Sequence, residues 1–265
     1  MRYTILILAV LVSCKNQAQD VEPDIKLKLK ESEDGWLLQG NNTTYAYIDL
    51  LINDEKLDSV ISQVIIEPMD SVIITNLGEG DRATVAEAFN EKHSIDYFLG
   101  GDPATVKHDD NYLYSLPFKK GKKYSVSQGP NGKFSHNNAV SKYAIDFQLE
   151  IGEPVHAARE GIVVKVQENY TKAGGKEFLW KANRIIILHE DGTTASYVHL
   201  DYNGSLVEEG ERVEKGQLIG RSGNTGFTRG PHLHFVVRKE KDLAIPVYFE
   251  GYEGIVLKQR KRYKR

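Results

Sequence analysis

Two histidines, His232 and His234, sit in the run Gly230-Pro231-His232-Leu233-His234-Phe235. Side chains at i and i+2 of an extended strand point to the same face, so one site receives two imidazoles. One of them can hold a metal while the other transfers a proton. A lone His-x-His is a weak signal, because two histidines on a solvated strand face need do no chemistry. Here other residues of matching chemistry accompany it. His199 lies in Tyr197-Val198-His199-Leu200, His136 in Phe134-Ser135-His136, and Asp146 interrupts the apolar stretch Tyr143-Ala144-Ile145-Asp146-Phe147. Tyr143, Ile145, Phe147 and Leu149 alternate with Ala144, Asp146 and Gln148. That alternation takes Asp146 off the apolar face and leaves its carboxylate open to a metal or to solvent.

The elements that must position these residues read as β-structure. Between about Ile25 and Asp102 come short β-type runs at Tyr45–Ile52, Val60–Ile66, Ser71–Leu77 and Ser94–Leu99. Turn residues at Asn41-Asn42, Pro68-Met69-Asp70 and Gly78–Asp81 separate them. This spacing predicts a small β-sandwich, immunoglobulin-like, over residues 25–110. Ala83–Asn90 reads alternatively as one or two turns of helix. The region holds no chemical constellation, and His93 and His108 read as ordinary surface or packing residues. A second domain, 111–265, follows Gly100-Gly101-Asp102-Pro103. Its β signals lie at Gly161–Val166, Arg184–His189, Thr193–Leu200, Gln217–Gly220 and Pro231–Arg238. No amphipathic helix of four turns accompanies them, which argues against an α/β sheet and for an all-β chain.

Composition bounds the rest. At 265 residues, 40% hydrophobic and 27% charged, the chain has room for two globular domains. The net charge of −3 hides an asymmetry, because six of the last eight residues, Lys258–Arg265, are Lys or Arg. A short basic tail of this kind reads as solvated. No basic stripe interleaved with aromatics suggests nucleic acid as a partner. At the other end, Arg2 precedes the apolar run Ile5–Val12. Ile5 to Ser13 as helix would reach about 14 Å, well short of a hydrocarbon core of roughly 30 Å. Residues 1–13 therefore read as a signal peptide and not as a membrane span. Leu11-Val12-Ser13-Cys14 resembles the lipobox of bacterial lipoproteins, and Cys14 is the one cysteine in the chain. An ordinary secretory signal is the alternative, although export to an oxidising compartment favours paired cysteines or none. A lipid-modified Cys14 accounts for both the count and the position. The expected address is an exported chain, lipid-anchored in the bacterial envelope, with residues 14–24 as a polar tether.

From about Ser127 to Val237 the chain resembles the lysostaphin-type, LytM-like zinc metallopeptidases that cut peptide bonds of bacterial cell walls. The sharpest matches are Ser222-Gly223-Asn224-Thr225-Gly226 and the Gly-Pro-His-Leu-His-Phe run. Tyr143–Phe147, Gly152–Gly161 and Val213–Gly220 match in the family's order. The resemblance implies an antiparallel β-sheet with a loop-flanked groove, one zinc ion held by His136, Asp146 and His234, and proton transfer by His199 and His232. It leaves the division of work between those two open. Tyr143 or Tyr197 is a candidate to steady an oxyanion, but tyrosines on strands more often pack. His156 and His189 have no part in the family pattern. Glycines 216, 220, 223, 226 and 230 read as turn residues beside the groove.

Two departures stand out. Nine residues, Asn137–Ile145, separate His136 from Asp146, where many members of the family have three. The closure entropy of a longer loop rises only logarithmically, so the insertion is tolerable. Val236 also stands where the family usually has an acidic residue, on the strand face of His232 and His234. The resemblance implies an endopeptidase acting on peptidoglycan stem peptides or cross-bridges. Its alternatives are a catalytically dormant module that activates another wall hydrolase, and a protease acting on proteins. Oligomeric state is not legible.

Overall fold

The computed structural model describes residues 24–57 and 59–265. The apolar start 1–13, Cys14 and the tether as far as residue 23 lie outside the described residues. The chain divides into two compact units between Asp102 and Pro103, where the sequence suggested 110/111.

In the first unit, Ile25–Ser32 and Gly35–Asn42 form an antiparallel hairpin, and Ser71–Gly78 adds a third strand to it. A second sheet has Tyr47–Asp54 between Ser59–Ile66 and His93–Gly100, again antiparallel. Alternating apolar residues from both sheets bury one core, with Ile25, Leu38 and Ile74 from the first and Ile48, Leu50, Ile66 and Ile95 from the second. The result is a sandwich of three strands on three, where a constant-type immunoglobulin sandwich sets four against three. Arg82–Asn90 is a helix. Its start is fixed by Asp81, whose carboxylate accepts the backbone N–H groups of Ala83 and Thr84, and it buries Val85 and Phe89.

The second unit is built on one antiparallel sheet. Its strand order is Arg212–Val213, Gly161–Gln167, Arg184–Leu188, Thr194–Val198, Leu233–Lys239, Ile145–Phe147, Lys123–Gln128 and Arg262–Lys264. One face carries the core, including Ile145, Phe147, Ile185, Ile187, Tyr197, Leu233, Phe235 and Val237. The period-2 alternation then sends Asp146, His234, Val236 and Ser196 to the other face. Among the described residues no helix is long and apolar enough to cross a membrane.

Two expectations need correction. The basic tail is not free in solvent. Arg262–Lys264 pairs with Lys123–Gln128 and closes the sheet, with Tyr263 buried in the core and its hydroxyl accepting the Lys258 N–H at 2.8 Å. Arg262 and Lys264 stay exposed, so the cations guard a sheet edge against further pairing. His108, read as an ordinary surface or packing residue of the first domain, belongs to the second unit. It lies 3.4 Å from Asp110 and 3.4 Å from Asp191, the latter far along the chain.

Candidate metal centre

Strand register brings the first two residues together. Asp146 stands directly opposite His234, and His234 opposite Val198, the residue before His199. Asp146 Oδ1 lies 2.9 Å from His234 Nδ1 and 3.2 Å from His136 Nε2, and the two imidazole nitrogens are 3.3 Å apart. His136 arrives from a loop and is fully buried. Its own backbone N–H donates to Gly132 O at 3.0 Å, and its Nδ1–H donates to Gly129 O at 3.0 Å. That tautomer leaves the Nε2 lone pair aimed at Asp146 and His234. Lone pairs and a carboxylate converging in this way repel one another unless a cation lies between them. The edge of a tetrahedron of zinc ligands at about 2.0–2.1 Å is roughly 3.3 Å, so the donor set fits zinc in both chemistry and spacing.

The Asp146 carboxylate is itself fixed from behind. Gln128 Nε2 donates to Asp146 Oδ2 at 3.1 Å and to Ser135 Oγ at 2.8 Å, while Gln128 Oε1 accepts the Phe134 N–H at 3.1 Å. One amide thus holds the carboxylate and the loop that delivers His136. Burial alone would raise the Asp146 carboxyl. Where a proton on His136 Nε2 or His234 Nδ1 stands in place of a metal ion, the hydrogen bonds it makes outweigh burial and hold the carboxyl well below the ordinary carboxylate range.

His199 and His232 stand beside this trio. Their ring centroids are 4.6 Å apart, and His199 is 5.9 Å from His234. His199 Nδ1–H donates to Thr225 O at 2.7 Å, and His232 Nδ1–H donates to Gly230 O at 2.8 Å. Both rings therefore keep Nε2 free, and His232 Nε2 comes within 3.8 Å of Asp146 Oδ1. Burial, followed by the charges of His232 and His234, pushes His199 down to about 3, so it is a neutral imidazole near pH 7. His199 also has φ +66°, a left-handed conformation that a side chain rarely adopts, at the junction of Thr194–Val198 and Leu200–Ser205. Gly226 follows the carbonyl that holds it. With φ +84° and only 2.4 Å from an added Cβ to Ala182 Cβ, that position admits no side chain.

All five expected residues are brought together, and Tyr197 stands apart from them. Tyr197 is fully buried in the core, where its hydroxyl accepts the Ala158 N–H at 2.7 Å. Tyr143 precedes the strand, which begins at Ile145, and packs against the small cluster Ala144, Val236 and Ala244. His156 and His189 donate their Nδ1–H to the carbonyls of Gly216 and Glu160, at 2.9 Å and 2.7 Å.

The two departures noted in the sequence have one structural explanation. The long spacer folds back over the sheet, where Arg238 Nε donates to Val140 O at 2.8 Å and Ala244 N–H to Ala139 O at 2.9 Å. Val236 is buried with Ala144 and Ala244, in a place where an acidic side chain would have no water. Gln128 was missed. It lies 18 residues before Asp146 and belongs to no motif, so only the strand pairing reveals its role.

Residues 140–246 match the family model for peptidase family M23. Glycyl-glycine endopeptidase ALE-1 of Staphylococcus capitis is 35% identical over 136 residues, 51% of this chain and 32% of that protein. Peptidoglycan DD-endopeptidase ShyA of Vibrio cholerae is 40% identical over 90 residues, 34% of this chain and 18% of that protein. Lysostaphin of Staphylococcus simulans is 36% identical over 134 residues, 50% of this chain and 23% of that protein. A solved lysostaphin structure covers 55% of this chain and 52% of its own, with a TM-score of 0.33 at 25% identity. The chain spans about a third or less of the length of these curated relatives.

Proposed function

Residues 140–246 form a domain of peptidase family M23, the lysostaphin-type peptidases, and from that premise we propose that this chain is a zinc-dependent endopeptidase of peptidoglycan. Its substrates would be peptide bonds of stem peptides or cross-bridges. The observation that carries the reading is the convergence of His136 Nε2, Asp146 Oδ1 and His234 Nδ1 to within 2.9–3.3 Å of one another, with His199 and His232 alongside. His136, Asp146 and His234 would hold the zinc. A bound zinc ion supplies a Lewis acid for the scissile carbonyl and acidifies a water molecule.

The remaining steps belong to the protein. His232 Nε2, with Nδ1–H committed to Gly230 O, is free to take a proton from the attacking water and return it to the leaving amine. His199, kept neutral by burial, is an acceptor that orients the water or the substrate N–H through Nε2. Gln128 and Gly129 fix the Asp146 carboxylate and the His136 tautomer, and groups in that role tune metal affinity. Export and lipid attachment at Cys14 belong to the same proposal, which the mass of the mature amino terminus tests.

The decisive assay is chromatography of muropeptides after cross-linked peptidoglycan is incubated with the zinc-loaded chain. Loss of cross-linked species with intact glycan strands is expected. His199→Ala and His232→Ala should retain zinc yet lose most of the rate, by about 10²-fold or more for the proton-transfer residue. An unchanged muropeptide profile from folded, zinc-loaded wild type would favour the activator role or a protein substrate.

A further inference from the structure

We propose that Arg229, seated on the ring of Phe134, which is itself stacked on Phe227, forms a subsite for a substrate carboxylate beside the metal centre. The inference rests on the reading of the adjacent histidines as a peptide-cleaving centre. Phe134 and Phe227 stack with centroids 5.4 Å apart and planes 22° from parallel, and the Arg229 guanidinium carbon lies 4.1 Å from the Phe134 centroid. Arg229 is exposed and Phe134 is 44% exposed, so the assembly meets solvent. Among the described residues no carboxylate or carbonyl accepts from this guanidinium.

The segments that build this platform also build the centre. Phe134 is two residues before His136, and its backbone N–H is held by Gln128. Phe227 is two residues after Thr225, whose carbonyl holds His199. Thr228 and Gly230 flank Arg229, and both meet the Nδ1 of His232. Two residues, Gly230 and Pro231, separate Arg229 from His232, so their Cα atoms lie within about 11 Å. The platform therefore stands beside the centre, within roughly three extended residues of His232.

An arginine stacked on a ring uses its π face and leaves its N–H edges unspent. Holding a long side chain in one place costs conformational entropy, and here the aromatic pair carries that cost before any ligand arrives. The Phe134 ring also excludes water from one side of the guanidinium, which strengthens its attraction for an anion. A planar fork with free edges and an apolar floor matches a carboxylate, bound through two parallel N–H···O contacts. A peptide bearing a free carboxylate near the scissile bond would be preferred over the same peptide with a carboxamide there.

The test uses two cross-linked stem-peptide dimers, identical except that the carboxylates of one are carboxamides in the other. Binding is measured by calorimetry on the full, zinc-loaded chain carrying His232→Ala, so that turnover does not deplete the ligand. The carboxylate form should bind about 10-fold more tightly, a charge-assisted contact at a partly exposed site. With Arg229→Gln added the ratio should fall to within about twofold, and with Arg229→Lys to an intermediate value, because lysine keeps the charge and loses the fork. Phe134→Leu, which removes the platform and leaves the arginine, should also lower the ratio. Zinc content reports that each variant is folded. Equal affinity for the two dimers, or a preference that survives Arg229→Gln, overturns the subsite. Binding does not depend on turnover, so a chain that shows the preference and cleaves neither dimer would contradict the proposed reaction alone.

Discussion

His199 combines an unfavourable backbone with a buried, hydrogen-bonded ring. Its φ of +66° is costly for any residue with a Cβ, by an amount of order 1 kcal/mol, and glycine escapes that cost. His199→Gly and His199→Ala both remove the imidazole and its bond to Thr225 O, so comparing them isolates the backbone term. The glycine variant should be the more stable of the two by about 1 kcal/mol in urea unfolding. Both should be equally inactive. A glycine variant no more stable than the alanine one would show that the left-handed conformation is not held against a cost. At this scale the sequence was informative wherever motif chemistry is concentrated. His136, Asp146, His199, His232 and His234 could all be named from residue type, order and family resemblance. Gln128, which holds the other oxygen of Asp146, could not, because its role depends on strand pairing and on no local pattern.

The nine-residue spacer and Val236 looked like separate irregularities in the sequence and prove to be one feature of packing. Val236 is 1% exposed under the spacer, against Ala144 and Ala244. Restoring an acidic side chain there, Val236→Glu, would bury a carboxyl in an apolar cluster and should cost about 2 kcal/mol or more. Because the same spacer leads from His136 to Asp146, zinc affinity should fall as well. Urea midpoints and zinc titration of the variant measure both effects. Wild-type stability would contradict the packing described for the spacer. Most strands were legible from alternation and turn residues, as Gly161–Gln167 and Leu233–Lys239 illustrate. The carboxy-terminal strand was not. Its two exposed cations hide a single inward tyrosine, and one buried side chain in three residues is too short a period to read.

The second unit should also be sensitive to acid through a histidine outside the proposed metal-binding set. Burial pushes His189 down to about 4, and its Nε2 is enclosed with no partner to receive a proton's charge. An ordinary histidine titrates near 6.5, so as pH falls below that value the unfolded chain binds the proton first. Stability from this group is therefore complete above about pH 6.5 and is lost progressively down to about pH 4, a total of roughly 3 kcal/mol. His189→Gln keeps a donor for Glu160 O and cannot titrate. The difference in unfolding free energy between wild type and this variant should shrink from pH 7 to pH 4. A difference that does not change with pH would remove His189 as the cause. The division of the chain into two units, each with its own core, was readable only in outline. The break at Asp102–Pro103 lies in a stretch where composition changes gradually, and His108 joins the second unit through Asp191.

The central claim is that His136, Asp146 and His234 hold a metal that the other two histidines serve. Its most direct test is the zinc content of the purified full chain, wild type against Asp146→Ala and His234→Ala, by elemental analysis after dialysis. About one zinc per chain is expected in wild type and little or none in either variant, since loss of one ligand of three leaves the ion to solvent. Full zinc occupancy in both variants, or none in folded wild type, would contradict the account.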